Sequence, residues 1–304
     1  MASAHVRSVR DREETAPDEQ FRVAIHQADS MIDASDPKMS LRRNVSRMFD
    51  AIQTASREAI NLIVFGEGFL NGYQSGDMLP ELALDVADPS DLLEEVMASV
   101  NEFGLSMIFG ATTSKGSYPG SLFNSAVVLR PGKEMLVVDK THLSEFRYKG
   151  EPVVSEKLDW ATGSELSPVF EIDGFKVGVE ICHDIVFPEV ARSLCMKGAE
   201  LIVNVSAAVS GFDWFWDSVP ATRAFENGVW YVHATVVSAG GQPELHEHSR
   251  VVNPFGSVVA EAPNGQDCVL THSLNTTSVA KARAALKPFT ERRPEIYDPR
   301  LAGR

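Results

Sequence analysis

The 304-residue chain is acidic, with 42 Asp and Glu against 28 Lys and Arg, a formal net charge of −14 and a pI near 5.0. Its 44% hydrophobic and 23% charged residues are an ordinary globular composition, on a length that can bury a full core. The acidic balance argues against nucleic acid as a partner, because phosphates would be repelled, and no apolar run reaches the ~18 residues of a membrane span, so no membrane partner is expected.

Residues 1–20, MASAHVRSVRDREETAPDEQ, are polar throughout; they fit a disordered tail and not a secretory leader. FRVAIHQADS then predicts a strand with Val23 and Ile25 on one face. In LRRNVSRMFDAIQTASREA, the positions Val45, Met48, Ile52 and Ala55 recur at helical spacing. NLIVFGE is a continuous apolar strand, the kind buried on both faces. DLLEEVMASVNEFG predicts a second amphipathic helix, GLSMIFGATT another strand, and SAVVLRPGKEMLVVDKTHL a hairpin turning at Pro131 and Gly132. The second half repeats the rhythm. FKVGVEIC is a strand, PEVARSLCMKG a helix with Pro188 in its first turn and Gly198 at its end, and AELIVNVS a strand. SVPATRAFENG is a helix, VWYVHATVVS a strand, and HSRVVNPFGSVVAEAP a hairpin around Asn253, Pro254 and Gly256. Strands and helices alternating with hairpins imply a layered α/β domain of mixed sheets, either doubly wound or a two-sheet sandwich. No repeat or composition break divides the chain. The expected division is a tail over 1–20, one domain over 21–275 and a C-terminal extension over 276–304 that packs on the domain or on an oligomer partner.

Cys182, Cys195 and Cys268 are an odd count without paired or zinc spacing, which fits a reducing compartment and a cytoplasmic location better than a disulfide framework. No metal is expected. In VGVEICHDIVFPE a strand ends at Cys182 and a helix begins near Pro188, so the thiol is expected beside a helix N-terminus, whose partial positive charge favours a thiolate. Taken alone, this cysteine reads better as a buried, inert one. Cys195, in mid-helix, and Cys268, in a late strand, fit the inert reading better. Two further strand ends carry charge after apolar runs: Glu67 in LIVFGEGF and Lys140 in MLVVDKTHL. Each alone is a solvated strand end. Together, a carboxylate, an ammonium and a thiol delivered by three strand ends form a set able to do acyl chemistry, the carboxylate taking the thiol proton and the lysine stabilising an oxyanion.

The segments VFGEGF, DKTHL and EICHDIVFPE stand in the order of the three signatures of the nitrilase, or carbon–nitrogen hydrolase, superfamily, and the chain resembles that family from about residue 21 to 265. FRVAIHQ, LFNSAVVLRPG, SEKLDWATG, RAFENGVWYV and HSRVVNPFG are similar to further family segments. The resemblance implies a four-layer αββα sandwich of two mixed sheets, assembled as a homodimer or higher homo-oligomer and needing no cofactor. It implies Cys182 as nucleophile, Glu67 as general base, and Lys140 with the backbone N–H of His183 as oxyanion donors. Glu156, seven residues before Gly163, would be the second glutamate, with Glu151 and Glu145 as rivals. His183, Tyr73, Asn204 and Ala207 would line the substrate site. A Cys182–His183 dyad is disfavoured, because neighbours at a strand end point to opposite faces.

Departures from the family pattern bear on the substrate. Gly66 replaces the usual Pro before the first glutamate, and His183 stands where Tyr, Trp or Asn is common. Asp184 stands where true nitrilases carry Glu, which favours amides or N-carbamoyl compounds over nitriles. NVSAAVSGFDWFW lacks a Trp-Pro pair, and its Phe212, Trp214 and Phe215 fit a pocket wall or, equally, core or interface packing. The expected partner is a small amide or carbamoyl compound, hydrolysed through a cysteine thioester with release of ammonia. The alternatives are a nitrilase that yields a carboxylic acid directly and a non-catalytic binding or scaffold protein on the same fold.

Overall fold

Two sheets pack face to face; apart from the late strand that closes the first, each takes its strands from one half of the chain. A computed structural model describes residues 20–297 apart from 31, 74, 90, 149–150 and 238–244; of the expected 1–20 tail, residues 1–19 lie outside the described residues. The first half supplies β1 (Phe21–Gln27), β2 (Leu62–Phe65), the short β3 (Leu84–Asp85), β4 (Ser106–Ser114), β5 (Leu122–Leu129) and β6 (Leu136–Asp139). A two-stranded ribbon, β7 (Glu145–Tyr148) and β8 (Glu151–Ser155), stands apart from both sheets. The second sheet holds β9 (Phe170–Ile172), β10 (Phe175–Ile181), β11 (Leu201–Ser206), β12 (Trp230–Thr235), β13 (Arg250–Val252) and β14 (Val258–Glu261), and β15 (Cys268–Leu274) returns to the first. The orders are β15-β1-β2-β4-β5-β6, with β3 on β4, and β14-β13-β12-β11-β10-β9. Each sheet has three central parallel strands, β1-β2-β4 and β10-β11-β12.

The side-chain pattern explains the layering. Val23, Ile25, Leu62, Val64 and Ile108 face inward and meet Val177, Val179, Val203 and Val205 of the second sheet in one apolar core. The alternate residues Ala24, Ile63, Phe65, Met107 and Phe109 face outward, under helices α1 (Pro37–Arg57) and α3 (Asp91–Phe103); the single turn α2 (Leu79–Leu82) lies between those helices in the chain. This is why Leu62–Phe65 is apolar without alternation: all four residues are buried, two on each face. On the second sheet, α4 (Pro188–Met196) and α5 (Asp213–Asn227) form the outer layer. Gly178 admits α4 closely, since a Cβ there would lie 3.1 Å from Leu194. The architecture is a four-layer αββα sandwich.

Helix α5 starts at Asp213, five residues earlier than expected from SVPATRAFENG. Pro220, read as a first-turn residue, lies inside the helix, where it forfeits one main-chain hydrogen bond. Beyond β15, which pairs with β1 from Phe21↔Leu274 to Gln27↔Cys268, helix α6 (Thr276–Leu286) buries Val279 and Ala282 against the domain itself. Among the described residues, no helix is long and apolar enough to cross a membrane.

Candidate active site

The C-terminal ends of β2, β6 and β10 converge between the two sheets. Glu67 follows β2 through a crowded passage. A Cβ on Gly66 would lie 2.7 Å from Val236 Cγ1, and one on Gly110 would lie 2.5 Å from Glu67 Cα. The glycine found in place of proline at 66 is therefore a matter of space: any side chain there would strike the end of β12. The Glu67 N–H donates to Ser206 O at 3.2 Å, and the Ala207 N–H donates to Glu67 Oε2 at 2.8 Å, so this carboxylate of the first sheet is anchored to the end of β11 in the second.

Lys140 leaves the end of β6 with its N–H bonded to Asn124 O at 2.8 Å and its carbonyl accepting from Gly163 N at 2.8 Å. Its ammonium is fully buried and donates to Glu67 Oε1 at 2.7 Å and to Glu156 Oε1 at 2.6 Å. Asn124 Nδ2 donates to the same two oxygens, at 2.7 and 3.3 Å. The Tyr73 hydroxyl donates to Glu156 Oε1 at 2.7 Å and the Ser144 N–H to Glu156 Oε2 at 2.6 Å. Burying an unpaired ion costs several kcal/mol; here every charged atom has an opposite charge or a donor beside it.

Two carboxylates share one ammonium, and the two are not equivalent. Burial works against the Glu156 charge, but Lys140 outweighs it, helped by Ser144 and Tyr73, and holds this carboxyl below its usual range. Burial pushes Glu67 up, with Glu156 adding to it and Lys140 opposing. Burial also opposes the Lys140 charge, but Glu156 and then Glu67 more than offset it and keep the ammonium protonated. Glu67 is thus the member of the cluster that gains a proton most readily.

Cys182 is buried directly after β10, with its backbone in the left-handed region at φ 44°. Few non-glycine residues sit there, and the turn thrusts the side chain out of the strand's alternation. The thiol lies close enough to Glu67, Lys140 and Glu156 to feel the charge of each. The expected thiolate is not what this setting favours. Burial, then the Glu67 carboxylate, push the thiol well above its ordinary range, with Lys140 opposing. A 3₁₀ turn over Cys182–Val186 stands in the chain between the cysteine and the start of α4 at Pro188.

The other expected residues fall out as follows. Tyr73 and Ala207 touch the cluster, through a hydroxyl and a main-chain N–H. His183 lies within reach of the charges of Lys140 and Glu156, and burial, then Lys140, bring its imidazole down to about 4, so it is neutral at pH 7. Asn204 is fully buried, with Nδ2 3.4 Å from Cys182 O and Oδ1 2.8 Å from His233 Nδ1. It supports the turn from beneath instead of facing a substrate. Of the rival glutamates, Glu145 is half-exposed and pairs with Lys157, while the side chain of Glu151 lies outside the described residues. Of the two readings left open for Phe212, Trp214 and Phe215, core packing describes Phe212 and Phe215, while Trp214 is 70% exposed. The apolar group beside the cluster is instead Tyr73, Leu79, Leu143, Trp160, Ala207 and Val236, with Tyr73 and Trp160 stacked at 5.7 Å. An open cleft of about 630 Å³ lies beyond it, with Leu79, Leu122 and Asp159 in its wall.

Asn124 and Ser144 carry no role in the sequence reading, and Asp184 only one as a mark of substrate class, yet all three bond to the site or its flanks. Asn124 had a signal, a polar pair inside the apolar run LFNSAVVL. Ser144 acts through its main chain, which leaves no side-chain trace.

A family model described as Carbon-nitrogen hydrolase matches residues 22–284. "Probable nitrilase C965.09" of Schizosaccharomyces pombe is 26% identical over 264 residues, covering 86% of this chain and 92% of that protein. "Omega-amidase NIT2" of Xenopus tropicalis is 29% identical over 259 residues, covering 84% and 91%. A solved variant of the amidase from Nesterenkonia sp. AN1, with the acetamide moiety of fluoroacetamide added covalently at its active site cysteine, superposes with a TM-score of 0.75 at 19% identity, covering 93% of this chain and 98% of that one.

Proposed function

The chain belongs to the carbon–nitrogen hydrolase family and acts on carbon–nitrogen bonds other than peptide bonds, and on that premise we propose that it hydrolyses a small amide or N-carbamoyl compound through a thioester on Cys182. The observation that carries this reading is the buried Glu67–Lys140–Glu156 cluster beside a protonated thiol.

Cys182 Sγ attacks the carbonyl carbon while Glu67 takes the thiol proton. A neutral thiol beside a carboxylate whose proton affinity burial raises suits such a transfer, because burial makes that carboxylate a stronger base. The developing oxyanion is met by Lys140 Nζ, which two carboxylates hold in the dry site, and by the His183 N–H. Glu67 returns its proton to the nitrogen, the C–N bond breaks and ammonia leaves. Water, deprotonated by Glu67, then attacks the thioester; the C–S bond breaks, the acid departs and the thiol is restored. Glu156 holds Lys140 in place and charged throughout, with Tyr73 and Ser144 fixing Glu156 in turn.

Cys182→Ala is expected to abolish ammonia release from every active substrate in a screen of small amides, carbamoyl amino acids and nitriles, with the fold intact by circular dichroism. Normal turnover in that variant ends the proposal. The nitrile reading is separated in the same screen by matched nitrile and amide pairs. Asp184, where true nitrilases carry Glu, favours the amide, and a faster nitrile would reverse that preference.

A further inference from the structure

The two reacting groups hang from different sheets. Lys140 ends β6, an edge strand paired on one side only, with β5. Cys182 ends β10, which is held on both sides by β9 and β11. An ammonium meant for an oxyanion must keep its distance to the sulfur, and an edge strand by itself is a poor anchor for it.

We infer that Asp184 is a positioning residue for the reaction proposed above, a buried carboxylate that ties the backbone following Lys140 to the backbone preceding Cys182. Its Oδ1 accepts from Thr141 Oγ1 at 2.8 Å and from the His142 N–H at 2.9 Å, and lies 2.8 Å from His142 Nδ1. Its Oδ2 accepts from the Ile181 N–H at 3.1 Å. Thr141 is the residue after Lys140, and Ile181 is the residue before Cys182. One carboxylate thus spans the gap between sheets within one residue of each reacting group. The site demands an acceptor at both oxygens, because main-chain N–H groups point at each, and an ionised carboxylate alone among side chains of this size supplies two. His142 is held from its other face by Phe187, with rings stacked at 3.9 Å, so the far side of the turn grips the same segment.

Asp184→Asn tests the idea, since the amide keeps the size but turns one acceptor into a donor that opposes an N–H. The measurement is amide turnover per titrated Cys182, using the fastest small amide from the screen, with iodoacetamide to count and time the thiol. Alkylation needs the sulfur and Glu67 but no oxyanion donor. In Asp184→Asn, full labelling of Cys182 at near-normal speed is expected, with kcat per labelled site down about 100-fold and KM little changed, the effect of a misplacement of roughly 1 Å. Thr141→Val should lose about 5-fold, and add nothing in the Asp184→Asn background, because the two act through one contact. Activity lost in proportion to labelled sites, with kcat per site normal, would reduce Asp184 to a folding role and overturn the inference. Should Asp184→Asn fail to fold, Thr141→Val decides alone, and an unchanged kcat overturns it. An active Cys182→Ala would instead sink the underlying reaction, whereas an inactive one beside a normal Asp184→Asn would sink only the positioning role.

Discussion

Two buried polar groups lie on the two sides of the second sheet, and they handle charge in opposite ways. The first is the Glu67–Lys140–Glu156 cluster between the sheets. The second runs across the helix-covered face of the second sheet, where Glu180, Asn204, His233 and Arg250 are cross-strand neighbours in register. In the first group, two carboxylates receive an ammonium, an amide, a phenol and two main-chain N–H groups. In the second, the buried Glu180 has the Tyr231 hydroxyl on Oε1, while Oε2 and the Nε2 of His233 have no hydrogen-bond partner among the described residues. The consequence is seen in protonation. Burial pushes Glu180 up to about 8, against the hydrogen bond from Tyr231, and burial, then Arg250, keep His233 neutral. One region is furnished to hold ions in a dry place; in the other, Glu180 avoids charge by keeping a proton and His233 by giving one up. Burial alone therefore does not mark a reactive site: the supply of donors does.

Removing the cation should break this contrast most sharply. Lys140→Met leaves two carboxylates without their shared ammonium, and the expected result is loss of ammonia release together with a stability loss of about 3–5 kcal/mol by urea denaturation, the usual cost of breaking a buried pair. Wild-type stability in that variant would mean that the cluster is not held by its charges. The second region should respond to pH instead. Folding raises the Glu180 pKa from 4.5 to about 8, so the folded protein keeps a proton that the unfolded chain has released between those values. Its contribution to stability is full below 4.5, declines as pH rises and levels off above about 8. Glu180→Gln, which cannot ionise, should flatten that part of the profile and raise Tm at pH 8.5; an unchanged slope would show that Glu180 is not the group responsible. Asn124→Ala should act on activity. It removes a hydrogen bond that lowers the Glu67 pKa, so the acid limb of kcat/KM, already above the ordinary glutamate range, should move to still higher pH. A limb that stays put would separate Asn124 from the base. The smallest effect is expected at Trp214→Ser, outside both regions, where a 70% exposed side chain should change stability by no more than ~0.5 kcal/mol.

The strand ends made the site legible in the sequence. Glu67, Lys140 and Cys182 each follow an apolar run, and parallel strands that deliver their C-terminal ends to one edge bring such residues together. Glu156 was legible from its spacing to Gly163, whose N–H binds the Lys140 carbonyl and whose missing side chain makes room for Asp139, 2.9 Å from where its Cβ would stand. The state of the thiol was not legible. Distance along the chain to Pro188 suggested a helix dipole, whereas burial and a neighbouring carboxylate, both tertiary effects, decide the outcome. Asn204 was read as a pocket residue through the family resemblance; its Nδ2 lies 3.4 Å from Cys182 O, a direction that spacing does not encode. Asp184 read as a mark of substrate class, and its bonds to Thr141 and His142 needed the second sheet to be in place. Gly66 read only as a replacement of the family's Pro and is a close approach.

Ser144 and Glu156 exchange two hydrogen bonds, one to the Glu156 side chain and one between main chains, and so close the base of the ribbon formed by β7 and β8. Everything between those two residues hangs beyond a latch that already secures the second glutamate. The ribbon is therefore a cassette: its length and composition can change over evolution, or be swapped by grafting, without disturbing the ion pair at its root. New selectivity would arise most readily by exchanging that insert, with the chemical machinery inherited unaltered.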